Sequence, residues 1–157
     1  MEDLFKEAAD KMVIYNVRKS WLNIAKLYNE MTAQFGGTIS MAFVLLALYE
    51  EEGVPVTKIA PRIGMEPNSL SRILKELENK GVLERRKNHS DSRIVNIVLT
   101  EQGKKLRKYA LKSVFKLEKN VKEEISENDL IGFFNVLEKI PNAINKIQEK
   151  VNQQKNK

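Results

Sequence analysis

Asn68, Ser69, Ser71, Arg72 and Lys75 crowd into one short stretch, EPNSLSRILKELENKGVLERR, residues 66 to 86. Amides, hydroxyls, a guanidinium and an ammonium are the groups that hydrogen-bond base edges and phosphates. At about 100° per residue, Leu70, Ile73, Leu74 and Leu77 share one side of a helix. Asn68, Arg72, Lys75 and Asn79 share the opposite side, with Ser69 and Ser71 flanking them. The apolar side can anchor the helix while the polar side meets a partner. Small side chains near its start permit close approach, and the positive end of the helix dipole suits phosphate. A face that is merely solvated usually mixes Glu with Lys instead.

A second group follows. Arg85, Arg86, Lys87 and Arg93 fall on or beside two strand-like runs, VLERRK and RIVNIVL, joined by the polar NHSDS. Asp91 stands two residues before Arg93. Residues i and i+2 of a strand share a face, so this carboxylate can hold that guanidinium; a plain turn-stabilising pair is the alternative. Charge points the same way. The chain has 157 residues and a net charge of +6, but residues 54–108 hold 13 Lys/Arg against 6 Asp/Glu. A basic segment between near-neutral ones calls for an anionic partner.

The elements that position these groups are mainly helical. Apolar spacing from Leu4 to Met31 predicts one long helix over residues 3–34, ended by Gly36-Gly37. Thr38 or Ser40 caps a second helix from Met41 to about Glu52. Val54-Pro55-Val56 reads as an extended link, and Thr57 caps a short helix with Pro61 early in it, closed by Gly64. Pro67 opens the polar-faced helix and Gly81 closes it. Val95, Ile97 and Leu99 alternate onto one face of the second strand. Thr100 caps a helix to about Ile125, and Ser126 with Asp129 resembles a capping box for the last helix. There, Leu130, Phe133, Leu137, Ile140, Ile144, Ile147 and Val151 keep a heptad spacing suited to a partner helix. Pro141 interrupts the seam and predicts a kink or restart.

A short helix, a tight turn, a polar-faced helix and a basic hairpin make a winged helix-turn-helix, whose second helix enters the major groove while the hairpin reaches the backbone or minor groove. The run from Val56 to Leu106 resembles the DNA-binding core of the MarR family of bacterial transcriptional regulators. The signature that carries this is Asp91-Ser92-Arg93 followed by IVNIVLT, with LENKGVLERR before it. The resemblance is close over residues 38–107. It implies a mainly α winged helix-turn-helix with long N- and C-terminal dimerisation helices: 1–37 for dimerisation, 38–107 for DNA binding, 108–157 for dimerisation again. It further implies a homodimer on a palindromic operator in double-stranded DNA, and a small-molecule effector in many members. Asn68, Ser69, Ser71, Arg72, Lys75, Arg86 and Lys87 would face DNA; Arg93 would enter the minor groove, oriented by Asp91. Ligand pockets fall near Tyr15, Arg18, Trp21 and Tyr28, although core or interface aromatics are the plainer reading of these. Glu66 departs from the short capping residue of the family, and Pro141 from its last helix.

Catalysis finds little support. The chain has one His, His89, and no Cys, so neither a Cys–His nucleophile–base pair nor a thiolate metal site can be assembled. Glu50-Glu51-Glu52 lacks His or Cys partners for a specific metal site, no Gly-rich phosphate loop is present, and no cofactor is expected. The longest apolar run, Met41–Tyr49, is about half a membrane span, and Glu2 and Asp3 follow Met1 where a secretory signal would be basic. A cytoplasmic, non-enzymatic regulator is expected. A winged helix used only for protein–protein contact is the alternative, and such a module has no need of a positive recognition face.

Overall fold

The computed structural model describes residues 2–155, with Glu2 and Asp3 described by backbone alone. Its helices are α1 (Glu2–Ala8), α2 (Val13–Ala33), α3 (Ile39–Ala47), α4 (Val56–Ile63), α5 (Pro67–Asn79), α6 (Glu101–Glu123) and α7 (Glu127–Lys155). The strands are β1 (Val54–Pro55), β2 (Leu83–Lys87) and β3 (Val95–Leu99). Two compact units are formed, Met1–Leu111 and Lys112–Lys157. The expected mainly α winged helix-turn-helix is present in the first.

The core of that unit lies where α3, α4 and α5 meet the sheet. Val44, Leu48, Ile59, Leu70, Leu74, Leu77, Leu83 and Ile97 are buried there. Leu70, Leu74 and Leu77 are the apolar side of the polar-faced helix, so its opposite side is left to solvent. Glu66 precedes Pro67 without a side-chain cap, and Gly81 takes a φ of 68° that turns the chain out of α5 into β2. Strand order is β1-β3-β2, all antiparallel, with Leu83 opposite Leu99 and Lys87 opposite Val95.

Several local expectations are corrected. The first helix is not continuous: a 3-10 turn at Ala9–Lys11 and an extended Met12 divide it. The Asn16 amide donates to the carbonyls of Ala9 (3.0 Å) and Met12 (2.9 Å), a side-chain alternative to the helical ladder. The second helix starts under a Thr38 cap but stops at Ala47, short of Glu52. There Arg62 donates to the Ala47 carbonyl at 3.2 Å. Thr57 is inside α4 rather than capping it, Pro55 precedes the helix without a side-chain cap, and Pro61 is near its end. Val54 and Pro55 are not a free link but a third strand, Val54 pairing with Ile97.

The alternation in β3 also fails. Ile97 is buried, Val95 is 38% exposed, and Asn96 and Val98 on the other face are buried as well. The turn at Glu52-Gly53 covers that second face: the Asn96 amide donates to the Glu52 carbonyl at 3.1 Å, and a Cβ on Gly53 would come within 2.6 Å of Val98. In the second unit α7 runs through Pro141 without a restart. Proline removes one main-chain donor, and the long helical stretches on both sides carry the chain across it. The Ser126 hydroxyl accepts from the Asp129 amide (3.2 Å) and donates to its carboxylate (2.6 Å), so the carboxylate reaches the hydroxyl rather than a backbone N–H as a capping box would.

Candidate nucleic-acid interface

Several features converge on α5. Asn68, Ser69, Ser71, Arg72 and Lys75 are all exposed on it. Pro67 has no N–H, and the next main-chain donors of a helix start lack intrahelical partners, so the amides of Asn68 and Ser69 point out of the helix. The Ser71 hydroxyl donates back to the Pro67 carbonyl at 2.9 Å, which leaves its lone pairs for a partner. The acidic residues of the helix are occupied: Glu76 with Lys80 at 2.8 Å, and Glu78 with Arg85 of β2 at 3.1 Å. Among the described residues, neither Arg72 nor Lys75 has an ion-pair partner.

Beyond β2 the chain turns through Asn88 to Ile94. The Asn88 side-chain oxygen accepts from the amides of Ser90 (2.9 Å) and Asp91 (3.1 Å), and the Asn88 amide donates to the Ile94 carbonyl at 2.9 Å. Asp91 and Arg93 therefore sit in this turn, not on a strand. They still meet, because the turn folds Arg93 back over Asp91. One carboxylate oxygen accepts from the Arg93 main-chain amide and from Nε, both at 3.0 Å; the other accepts from a terminal guanidinium nitrogen at 2.9 Å. The hydrogen bonds from Arg93 hold the Asp91 carboxyl below its ordinary range, and Asp91 in return raises Arg93. The Arg93 side chain is 88% exposed against 34% for Asp91. A two-point clamp thus presents a cation on an aimed stalk at the hairpin tip. Arg86 is paired with Glu84 on the same strand, while Lys87 and His89 are exposed.

The four residues considered for a ligand are not gathered in one place. Trp21 stacks on Phe43, ring centres 6.1 Å apart, and borders an open groove of about 640 Å³ shared with Arg62, Ile63, Met65, Ser69 and Ile73. Tyr15 meets Phe5 edge-on at 5.4 Å, Arg18 is exposed, and the Tyr28 carbonyl accepts from Thr32. One cluster was not legible in the sequence. Arg62 forms a fork with Glu50, 2.6 Å at its shorter arm, and its guanidinium lies 4.7 Å from the Tyr49 ring centre. The Arg62 hydrogen bonds hold the Glu50 carboxyl low. Twelve residues separate the two partners, so no local pattern advertises them. Among the described residues no three His, Cys, Asp or Glu side chains group as a metal site, and no helix is long and apolar enough to cross a membrane.

Known proteins resemble this chain in sequence and in fold. A family model described as MarR family matches residues 38–95. The HTH-type transcriptional regulator TtmR of Methylorubrum extorquens (strain PA1) is 31% identical over 101 residues, 64% of this chain and 52% of TtmR. The chain thus spans about half the length of that relative. The HTH-type transcriptional regulator SarZ of Staphylococcus epidermidis (strain ATCC 12228 / FDA PCI 1200) is 31% identical over 108 residues, 67% of this chain and 72% of SarZ. Among solved structures, the S. aureus MepR–DNA complex aligns with a TM-score of 0.76 at 23% identity, over 84% of this chain and 98% of that one. CouR from Rhodococcus jostii RHA1 bound to p-coumaroyl-CoA aligns at 0.75 and 23% identity, over 85% and 94%. At those identities the two structures speak for the fold alone.

Proposed function

We propose that this chain, which belongs to the MarR family, is a DNA-binding transcriptional regulator. It acts as a homodimer that represses from a palindromic operator and is released by a small ligand. The observation that carries the reading is one juxtaposition. The exposed α5 face presents Asn68, Ser69, Ser71, Arg72 and Lys75 with the helix's own carboxylates, Glu76 and Glu78, already paired, and a bidentate clamp aims Arg93 outward. The face suits base edges and phosphates of a major groove. The aimed cation suits a narrow minor groove, and Lys87 and Arg86 suit the backbone between. That a structural neighbour, MepR, was solved with DNA supports the reading.

Dimerisation is argued from exposed apolar surface. Phe133, Ile144, Ile147 and Val151 of the α7 seam are exposed, as are Val13, Ile14 and Leu22 of α2. Apolar surface on this scale asks for a cover, and two-fold pairing supplies one. For the ligand, the Trp21 groove is the best seat, since Ser69 and Ile73 of α5 line it and a bound molecule would press on the reading helix; CouR's p-coumaroyl-CoA shows that a neighbour of this fold takes a small molecule.

The test is a titration at several salt concentrations. One duplex is selected from a random pool by the protein itself, or taken from upstream of its own gene; the other is a scramble of the same length. Binding to the selected duplex should be at least about 10³-fold tighter and should fall steeply with salt. Equal, weak affinity for both duplexes would sink this reading and favour a protein-contact module.

A further inference from the structure

Lys80, the partner of Glu76, makes a second contact. It follows the last residue of α5, and its ammonium donates to the Gly36 carbonyl at 2.7 Å and to the Glu76 carboxylate at 2.8 Å. Gly36 stands just past the end of α2, in a turn closed by its own amide on Ala33 and by the Gly37 amide on Thr32. The C-terminal ends of two helices therefore meet at one cation. Each end is the negative pole of its helix, so a positive charge is favourable to both. The α2 end is itself held: Phe35 packs against Tyr109 at 4.5 Å, and the Gln34 amide donates to the Tyr109 hydroxyl at 2.7 Å. The strut thus rests on a fixed point.

We infer that Lys80 is a positioning residue for DNA reading, tying α5 to α2 and so setting the pitch of the Asn68–Lys75 face. The inference rests on the function proposed above. Leu70, Leu74 and Leu77 fix which side of α5 is buried, but apolar contact is non-directional and leaves tilt soft. The Glu78–Arg85 pair ties the other flank to the hairpin, not to α2. Twelve residues separate Lys80 from Asn68, about 18 Å along the helix. A tilt of roughly 5° about one end moves the other by about 1.6 Å, more than the range over which a hydrogen bond keeps its length. Lys80 spends its charge on the Gly36 carbonyl and on Glu76, next to Arg72 along the same side of the helix, and so adds none to phosphate.

The full-length protein tests this as Lys80→Met and Lys80→Arg, each made with and compared against Glu76→Gln so that no carboxylate is freed on the helix, on the selected and scrambled duplexes. Lys80→Met should lose about tenfold on the selected duplex, the size of one weakened base contact, and less than about threefold on the scramble. The slope of log affinity against log salt should stay unchanged on both, because no phosphate contact is lost. Lys80→Arg can reach both acceptors and should recover most of the selected affinity. Unchanged binding in Lys80→Met would overturn the inference. So would an equal loss on both duplexes with a flatter slope, which makes Lys80 a phosphate contact. Loss of folding that Lys80→Arg does not repair makes the residue structural and also overturns it. Amide exchange on the DNA-free protein separates the two layers of argument. If the wild type selects no sequence, the DNA reading has failed, and the strut is judged by whether Lys80→Met speeds exchange at residues 76–80 while the buried strand β3 stays protected.

Discussion

Arg93→Ala isolates what the wing contributes. The guanidinium commits Nε and one terminal nitrogen to Asp91 and is otherwise open to solvent, with 88% of the side chain exposed. Removing it deletes one cation per copy and two per dimer. Each phosphate neutralised contributes about −0.9 to the slope of log affinity against log salt, so the dimer's slope should flatten by about 1.8. Between about 50 and 200 mM salt, a fourfold range, the wild type should then lose roughly 12 times more affinity than the variant. Fluorescence anisotropy at three salt concentrations measures this. Selected and scrambled duplexes should respond by similar factors, because a minor-groove arginine senses width and charge more than base pattern. The melting temperature should barely move, since the pair with Asp91 is largely solvent-exposed and such pairs contribute little to stability. Asp91→Ala keeps the cation and loses only its aim, so affinity should fall part of the way with the slope near the wild-type value. An unchanged slope for Arg93→Ala, with an unchanged melt, refutes the wing placement and leaves α5 to carry the contact alone.

Three further outcomes are expected. Gly103→Ala brings a Cβ to within 2.0 Å of the Val82 carbonyl, a backbone atom that cannot give way; urea unfolding should show a loss at or above the upper end of overpacking costs, about 3 kcal/mol. Leu137→Asp with Ile144→Asp puts unpaired charges into the α7 seam, and light scattering should fall from about twice the chain mass of 18.1 kDa to about one chain. The Asp91 pKa is lowered from its ordinary 3.8 by Arg93, so the stabilisation from this pair is present above 3.8 and is lost as pH falls through the lowered value. The Arg93 Nε–H signal in NMR should therefore stay protected at about pH 5 and lose protection only in stronger acid; loss near neutrality would contradict the clamp.

The reading helix was legible because its signal is local. Leu70, Leu74 and Leu77 repeat at helical spacing, Pro67 marks one end and Gly81 the other, and all lie within a single stretch of chain. The wing was legible in composition but not in geometry. Strand spacing brought Asp91 and Arg93 together on paper, whereas Asn88, by accepting from Ser90 and Asp91, folds the chain into a turn that does so in space. What stayed hidden depends on distant partners. α3 ends early beside Arg62, fifteen residues after Ala47. β1 is two residues long and exists only by pairing with β3. Asn96 is 5% exposed, a polar residue whose burial no alternation rule allows; it follows from the Glu52 carbonyl it meets 44 residues away.

The charge of the reading face shows the same division. By composition α5 is neutral, with Arg72 and Lys75 against Glu76 and Glu78. Its positive character is made by folding, because Glu76 is taken by Lys80 and Glu78 by Arg85. On the proposed function, Arg85 would support DNA binding through Glu78 without touching DNA. Arg85→Ala should free the Glu78 carboxylate on a flank of the face, where it repels phosphate and competes for Lys75. Affinity should fall on selected and scrambled duplexes alike, most at low salt, where repulsion is least screened. Glu78→Gln alone should bind at least as well as the wild type. The double variant should recover what Arg85→Ala lost, because the offending charge is gone along with its partner. A double variant no better than Arg85→Ala would show instead that Arg85 meets the backbone itself, and the positive face would then have to extend onto β2.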